Sequence, residues 1–148
     1  MIIFLRSLRD WVGHISRVYI KDANIIFDTH NVIINLYKFI FSDGNFGLYN
    51  ADLSELYSIY AHELLKEDRI DESFAALENS YNHAKMLGEL KDKYTAPFVD
   101  LVKINADKNL SEKRLSELLD LLKGDIFFTK INGDPRFTAL VNRIEADV

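Results

Sequence analysis

The sequence predicts an all-α fold of antiparallel helical hairpins, and three observations carry that prediction. Apolar residues recur at helical spacing along most of the 148-residue chain. The six Gly and two Pro are too few to supply the turns of an all-β fold. The apolar segments start and stop on helix-end signals at short intervals, the pattern of short paired helices. Hydrophobic residues make up 48% and charged residues 28%, which suits one packed domain over residues 1–148 and not a disordered chain.

The elements follow in order. Leu5, Leu8, Val12, Ile15 and Val18 or Tyr19 form a stripe with Trp11 beside it, and Arg6, Arg9, Asp10 and Arg17 lie opposite. Residues 3–20 are therefore expected to form an amphipathic helix that packs on a neighbour. Asn24 to Phe41 is the most apolar stretch. Its Ile25, Ile26, Val32, Ile33 and Ile34 also suit a strand, but a run this long without Gly or Pro favours a mostly buried helix. Gly44 is expected to end it, and Asp52 to cap the next helix. Leu53, Leu56, Tyr57, Tyr60, Ala61, Leu64 and Leu65 share one helical face. After the break KEDRIDE, Ile70, Phe74, Leu77, Tyr81 and Ala84 share the next, with Asp71 as the expected cap. Pro97 is expected in the first turn of a further helix. Ser111 is expected to cap the helix of Leu115, Leu118, Leu119 and Leu122, which Gly124 ends. Asp134-Pro135 is a strong helix start, followed by Phe137, Leu140, Val141 and Ile144 on one face. Six to seven helices result, and no strand.

Short paired helices prompt a search for repeats. Residues 53–84 fit the roughly 34-residue tetratricopeptide pattern. Tyr57, Tyr60, Ala61 and Leu64 occupy its first-helix slots, Ile70 the apolar slot of the turn, and Ser73, Leu77 and Ser80 the second-helix slots. The small Ala61, Ser73 and Ser80 are expected to let the two backbones approach closely. Asp68 stands where glycine usually takes the turn, and Asp tolerates that conformation better than most residues. One hairpin cannot bury its own face, so flanking helices are expected to stack on it as a short tetratricopeptide-like solenoid.

The order of segments extends the likeness. FSDGNFGLY, then a helix with SELY, then EDRIDESFAALENSYNHA, KYTAPFVD and DPRFTALVNRI together resemble the tetratricopeptide-like C-terminal portion of bacterial Xre-type helix-turn-helix transcriptional regulators. The resemblance covers residues 24 to 146. It implies a sensing or dimerising module. The regulators carry a DNA-binding helix-turn-helix ahead of the repeats; the single helix expected before residue 21 is too short and not basic enough for one.

Composition then excludes several functions. With no Cys, the chain has no disulfide framework, zinc-thiolate site or cysteine nucleophile. A net charge of −5 with interleaved signs shows no basic stripe, so direct nucleic-acid binding is not expected. No apolar run approaches the ~18 residues of a membrane helix, and the start MIIFLRSLRDWVG is not a signal peptide. A soluble cytoplasmic chain is the expectation. His14, His30, His62 and His83 are expected to be structural or solvent-facing. His62-Glu63 begins like HExxH, but Lys66 stands fifth and the motif fails. No nucleophile elbow or phosphate-cradling loop occurs, so neither enzyme activity, a metal nor a cofactor is expected.

The expected function is binding of a peptide or protein. In repeats of this type the concave surface comes from the first helix of each pair, where Glu55, Ser58, His62 and Lys66 lie at helical spacing outside the apolar face. Mixed polar side chains there can pair with a peptide backbone. Asn31 and Asn35, one turn apart, are added as amides suited to the same task. A homodimer through apolar helices, with residues 3–20 as the candidate, is the competing expectation.

Overall fold

The computed structural model of the chain describes residues 7, 10, 22–97, 99, 103, 104 and 109–148. The helix expected over residues 3–20 lies outside the described residues apart from Ser7 and Asp10, as does His14. The rest is all-α as expected: α1 (Ala23–Ile40), α2 (Tyr49–Lys66), α3 (Ile70–Met86), α4 (Leu110–Gly124), a 3-10 helix (Ile126–Ile131) and α5 (Pro135–Asp147).

In α1 the run of β-branched residues is helical because burial outweighs propensity. Phe27, His30, Ile33, Ile34, Tyr37 and Ile40 are its buried residues. Asp22 caps it, accepting from the Asn24 amide at 2.9 Å. Gly44 takes the left-handed conformation after it, φ +75°.

The α2–α3 hairpin turns on Asp68, whose φ of +55° fills the position where glycine is usual. Ser73 Oγ donates to the Ala61 carbonyl at 2.9 Å, and Ser80 Oγ to the Ser54 carbonyl at 2.8 Å. These two contacts advance along α3 as they retreat along α2, so the helices are antiparallel. Ser54, Ala61, Ser73 and Ser80 are fully buried. The small residues admit close approach, and the serine hydroxyls then use the approach to bind the opposing backbone. Leu53, Leu64, Leu65 and Leu77, also fully buried, fill the space around them.

A second hairpin stacks on the first in the same sense. Arg114 near the start of α4 meets Ser54 near the start of α2, and Asp125 at the end of α4 meets His62, so α4 runs parallel to α2. Likewise Arg136, Arg143 and Asp147 along α5 meet Asp71, Glu78 and Tyr81 along α3, so α5 runs parallel to α3. The interior between the units holds Leu115, Leu118, Leu122, Phe128, Ile131, Phe137, Leu140 and Ile144. The intervening 3-10 helix is started by Asp125, whose carboxylate accepts from the Phe127 amide at 2.9 Å. Three residues per turn places Phe128 and Ile131 on one side, and both are buried.

Several expected helix ends are corrected. Helix α2 begins at Tyr49, and Asp52 sits buried in its first turn. Arg69, with no side-chain cap, precedes α3, and Asp71 instead pairs with Arg136 at 2.8 Å. Asn109 precedes α4, and Ser111 Oγ donates across to the Ala84 carbonyl at 2.9 Å. Ile70 is exposed and not packed in the turn. Pro97 lies in a turn, not a helix; the described residues there carry a lone antiparallel bridge between Lys93 and Lys103. That segment straps the loop before α2. Asn45 Nδ2 donates to the Lys93 carbonyl at 2.9 Å, the Leu48 amide donates to Tyr94 Oη at 3.1 Å, and Thr95 Oγ1 donates to Asp43. Gly47, at φ +53°, lies so close that an added Cβ would sit 2.4 Å from the Tyr94 ring.

Candidate functional site

Parallel packing sets one edge of α2 against α4. Positions 55, 58, 59, 62, 63 and 66 recur every three to four residues and so lie along that edge. Two recesses open between the helices. One, of about 290 Å³, is lined by Ser58, Ile59, His62, Glu63 and Lys66 from α2 and by Leu121 and Asp125 opposite. The other, of about 150 Å³, is lined by Ala51 and Glu55 from α2 and by Leu110, Lys113, Arg114 and Glu117 from α4.

Charges of both signs meet in each recess. In the larger one, His62 lies with Nδ1 3.5 Å from Glu63 and Nε2 3.6 Å from Asp125. Its ring stands edge-on to Phe127, centroids 4.6 Å apart. Lys66 Nζ lies 2.8 Å from Glu63 and 5.6 Å from the centre of the Phe127 ring. His62 and Lys66 together hold the Glu63 carboxyl down at about 2, against the desolvation of its partly buried position. Glu63 is thus anionic at any ordinary pH. In the smaller recess Arg114 donates from Nη1 to Glu117 at 3.0 Å and from Nε to Ser54 Oγ at 3.1 Å. Such a groove offers both donors and acceptors to an extended peptide backbone.

Of the six residues expected at the site, Glu55, His62 and Lys66 line the groove. Ser58 lines it too, but it is buried and its Oγ donates to the Glu55 carbonyl at 2.8 Å. It has core duty after all: almost none of it is exposed, and its hydroxyl is spent on its own helix. Asn31 and Asn35 line neither recess. They sit exposed on α1, where Asn31 Nδ2 reaches Tyr60 Oη at 3.4 Å. Sequence reasoning also passed over Glu63 and Ile59, and the whole α4 side: Lys113, Arg114, Glu117 and Asp125. The α2 pair was readable from helical spacing; the α4 set depends on which helix comes alongside.

Two other histidines are packed into the interior. His30 is buried, its Nδ1 2.8 Å from the Ile26 carbonyl, and its ring is stacked on Tyr60. His83 is stacked on Tyr57, with Nδ1 2.7 Å from Asn50 Oδ1. Asn50 Nδ2 donates to the Gly47 carbonyl at 2.9 Å, so its oxygen faces the imidazole and Nδ1 carries the proton. Burial pushes His83 down to about 4, helped by the nearby Lys38 charge. No group of three or more His, Asp or Glu able to hold a metal occurs among the described residues. No described helix is long and apolar enough to cross a membrane. Comparison with protein-family models, with curated proteins and with solved structures finds no match to this chain.

Proposed function

We propose that the chain is a tetratricopeptide-like peptide- or protein-binding module whose ligand lies along the groove between α2 and α4. The observation that carries this reading is the parallel stacking of the second hairpin on the first. It sets two first helices alongside one another and leaves two recesses of mixed charge between them. An extended peptide laid there meets His62, Lys66, Lys113 and Arg114 as donors, and Glu55, Glu63, Glu117 and Asp125 as acceptors. Ile59 and Leu121 add apolar floor. The module acts by binding and not by catalysis, in the cytoplasm, as the sensing part of a transcriptional regulator; that last element rests on the Xre-type resemblance alone.

The test is a pull-down from the native cell with the intact chain and with a Glu55→Ala, His62→Ala, Lys66→Ala triple variant. These residues are half-buried or exposed, but His62 and Lys66 also pair with the partly buried Glu63. The triple change should therefore cost about 1–3 kcal/mol, and capture is compared at a temperature where circular dichroism shows both chains folded. Loss of partner capture by the folded triple variant supports the groove. Capture that survives all three changes removes it.

A further inference from the structure

The two recesses between α2 and α4 differ in charge. In the smaller, Glu55 and Glu117 meet two cations, Lys113 and Arg114. In the larger, Glu63 and Asp125 meet Lys66 alone, with His62 between the carboxylates. The lining of the larger recess thus carries one negative charge in excess when the imidazole is neutral. Both helices also end beside it, α2 at Lys66 and α4 at Gly124, and the carbonyl ends of helices add negative potential. Lys130 offsets part of this at α2, where its Nζ donates to the Leu65 carbonyl at 3.1 Å.

Each carboxylate has an oxygen to offer. Glu63 Oε1 accepts from Lys66 at 2.8 Å, and Asp125 Oδ1 from the Phe127 amide at 2.9 Å. The second oxygen of each accepts no hydrogen bond from the described residues; His62 Nε2 lies 3.6 Å from Asp125 Oδ2, beyond hydrogen-bond reach. A neutral imidazole carries a single N–H, so His62 cannot serve both carboxylates. The side chains of Glu63 and Asp125 keep 16% and 24% of their surface in solvent, which leaves them open to a ligand. Ile59 and Leu121, both half-buried, line the same recess. Pockets for whole small molecules run from about 300 to 1,000 Å³, so one of about 290 Å³ suits a single long side chain. Apolar lining beside carboxylates is what lysine and arginine fit, because their stems lie along apolar surface while the charged head reaches past it.

We propose that the larger recess is a cation subsite, which takes a lysine or arginine side chain of the bound peptide with its stem on Ile59 and Leu121 and its head on Glu63 and Asp125. Lys66, held on Glu63 and over the Phe127 ring, balances one of the two carboxylates and leaves the other for the ligand. An acidic side chain there would be repelled, and a neutral one would gain nothing from the excess charge. The subsite rests on the peptide-binding reading of the groove and gives its ligand a chemical class.

Selection of random heptapeptides displayed on phage against the immobilised intact chain tests it, followed by fluorescence anisotropy with the enriched peptides made synthetically. The expected result is a lysine or arginine at one position. Norleucine there keeps the stem and removes the charge, and should weaken binding about three- to tenfold; glutamate should weaken it further. This comparison uses the unaltered chain, so it holds whether or not a variant folds. Glu63→Gln with Asp125→Asn keeps the side-chain shapes and the cap on Phe127. If circular dichroism shows that chain folded, it should bind the lysine and norleucine peptides within about twofold of each other. Enriched peptides indifferent to norleucine overturn the subsite, as does a lysine preference that persists in the folded Glu63→Gln, Asp125→Asn chain. The groove itself survives either result if the same peptides are lost by the folded Glu55→Ala, His62→Ala, Lys66→Ala variant. No enriched peptide, or peptides that bind this triple variant undiminished, removes the groove and the subsite with it.

Discussion

Across the α2–α3 hairpin, small side chains make the contact. Ala61, Ser73 and Ser80 are fully buried, and two serine hydroxyls bind the opposing backbone. Across the seam between α3 and α5, long charged ones do. Arg136 reaches Asp71, Arg143 reaches Glu78, and Lys85 and Tyr81 share Asp147. Both arginines also lie over aromatic rings, Arg136 4.2 Å from the centre of Phe74 and Arg143 5.1 Å from that of Tyr81. The first seam is dry and sets a distance. The second is wet at its edge and sets a register, because each charge finds a partner at only one offset. One stacking plan is thus held by interactions that differ in their response to volume, pH and salt.

Volume should break the hairpin first. Ala61 has no exposed surface, and its carbonyl accepts from Ser73. Ala61→Leu must therefore push α3 away and break that bond, at about 3 kcal/mol or more. Ala139→Leu, on the exposed side of α5, should change stability by less than about 0.5 kcal/mol. Urea denaturation of the two variants gives both numbers. A loss under about 1 kcal/mol for Ala61→Leu would mean that the small residues do not set the spacing.

Acid should reach the hairpin before the seam. His83 has its pKa lowered to about 4 by burial, against an unfolded value near 6.5. Protons therefore bind the unfolded chain more readily between those values. The stabilisation is fully present above about pH 6.5 and is lost as pH falls towards 4, by about 3 kcal/mol at most. At the seam the Tyr81 hydroxyl and Lys85 hold the Asp147 carboxyl below its ordinary value near 3.8, so the stability it contributes is lost only below that value. Stability measured from pH 7 to 4 should slope accordingly, and His83→Gln should flatten the slope. An unchanged slope would remove the neutral-imidazole account.

A smaller effect isolates the hydroxyls. Ser80→Ala keeps the volume low but deletes the bond to the Ser54 carbonyl, at a cost of about 1 kcal/mol. If Ser80→Ala is neutral while Ala61→Leu is severe, the hairpin depends on small size alone.

The two seams differ in the same way in how far they could be read from the sequence. Ala61, Ser73, Ser80 and the turn at Asp68 were legible because each is fixed by spacing within one hairpin. The second unit was not recognised as a copy of the first. Its contacts fall 60 to 66 residues on, well beyond the roughly 34 of the repeat, because the segment around Tyr94 intervenes. Asp71 and Ser111 look like caps at short range, but Arg136 and the Ala84 carbonyl claim them. At the candidate groove the pattern was the same. Glu55, His62 and Lys66 follow from the period of α2. Asn31 and Asn35 share that period on α1, and periodicity alone does not say which neighbour a face meets.

Salt should loosen the second seam and spare the first. The Arg136 guanidinium bridges Asp134 and Asp71, 2.7 and 2.8 Å away, and these carboxylates raise its pKa above the ordinary arginine value. The pair with Asp71 is exposed to solvent on both sides, so mobile ions screen it. Amide hydrogen exchange resolves the elements separately. Raising sodium chloride from about 0.05 to about 0.5 M should speed exchange in α5 two- to fivefold, roughly, and leave α2 and α3 unchanged. Arg136→Gln removes the charge while keeping much of the side chain over Phe74. It should speed α5 exchange at low salt and abolish most of the further response to salt. Equal acceleration of all helices by salt would mean that α5 is held by its apolar face, with Phe137, Leu140 and Ile144 sufficient to set the register.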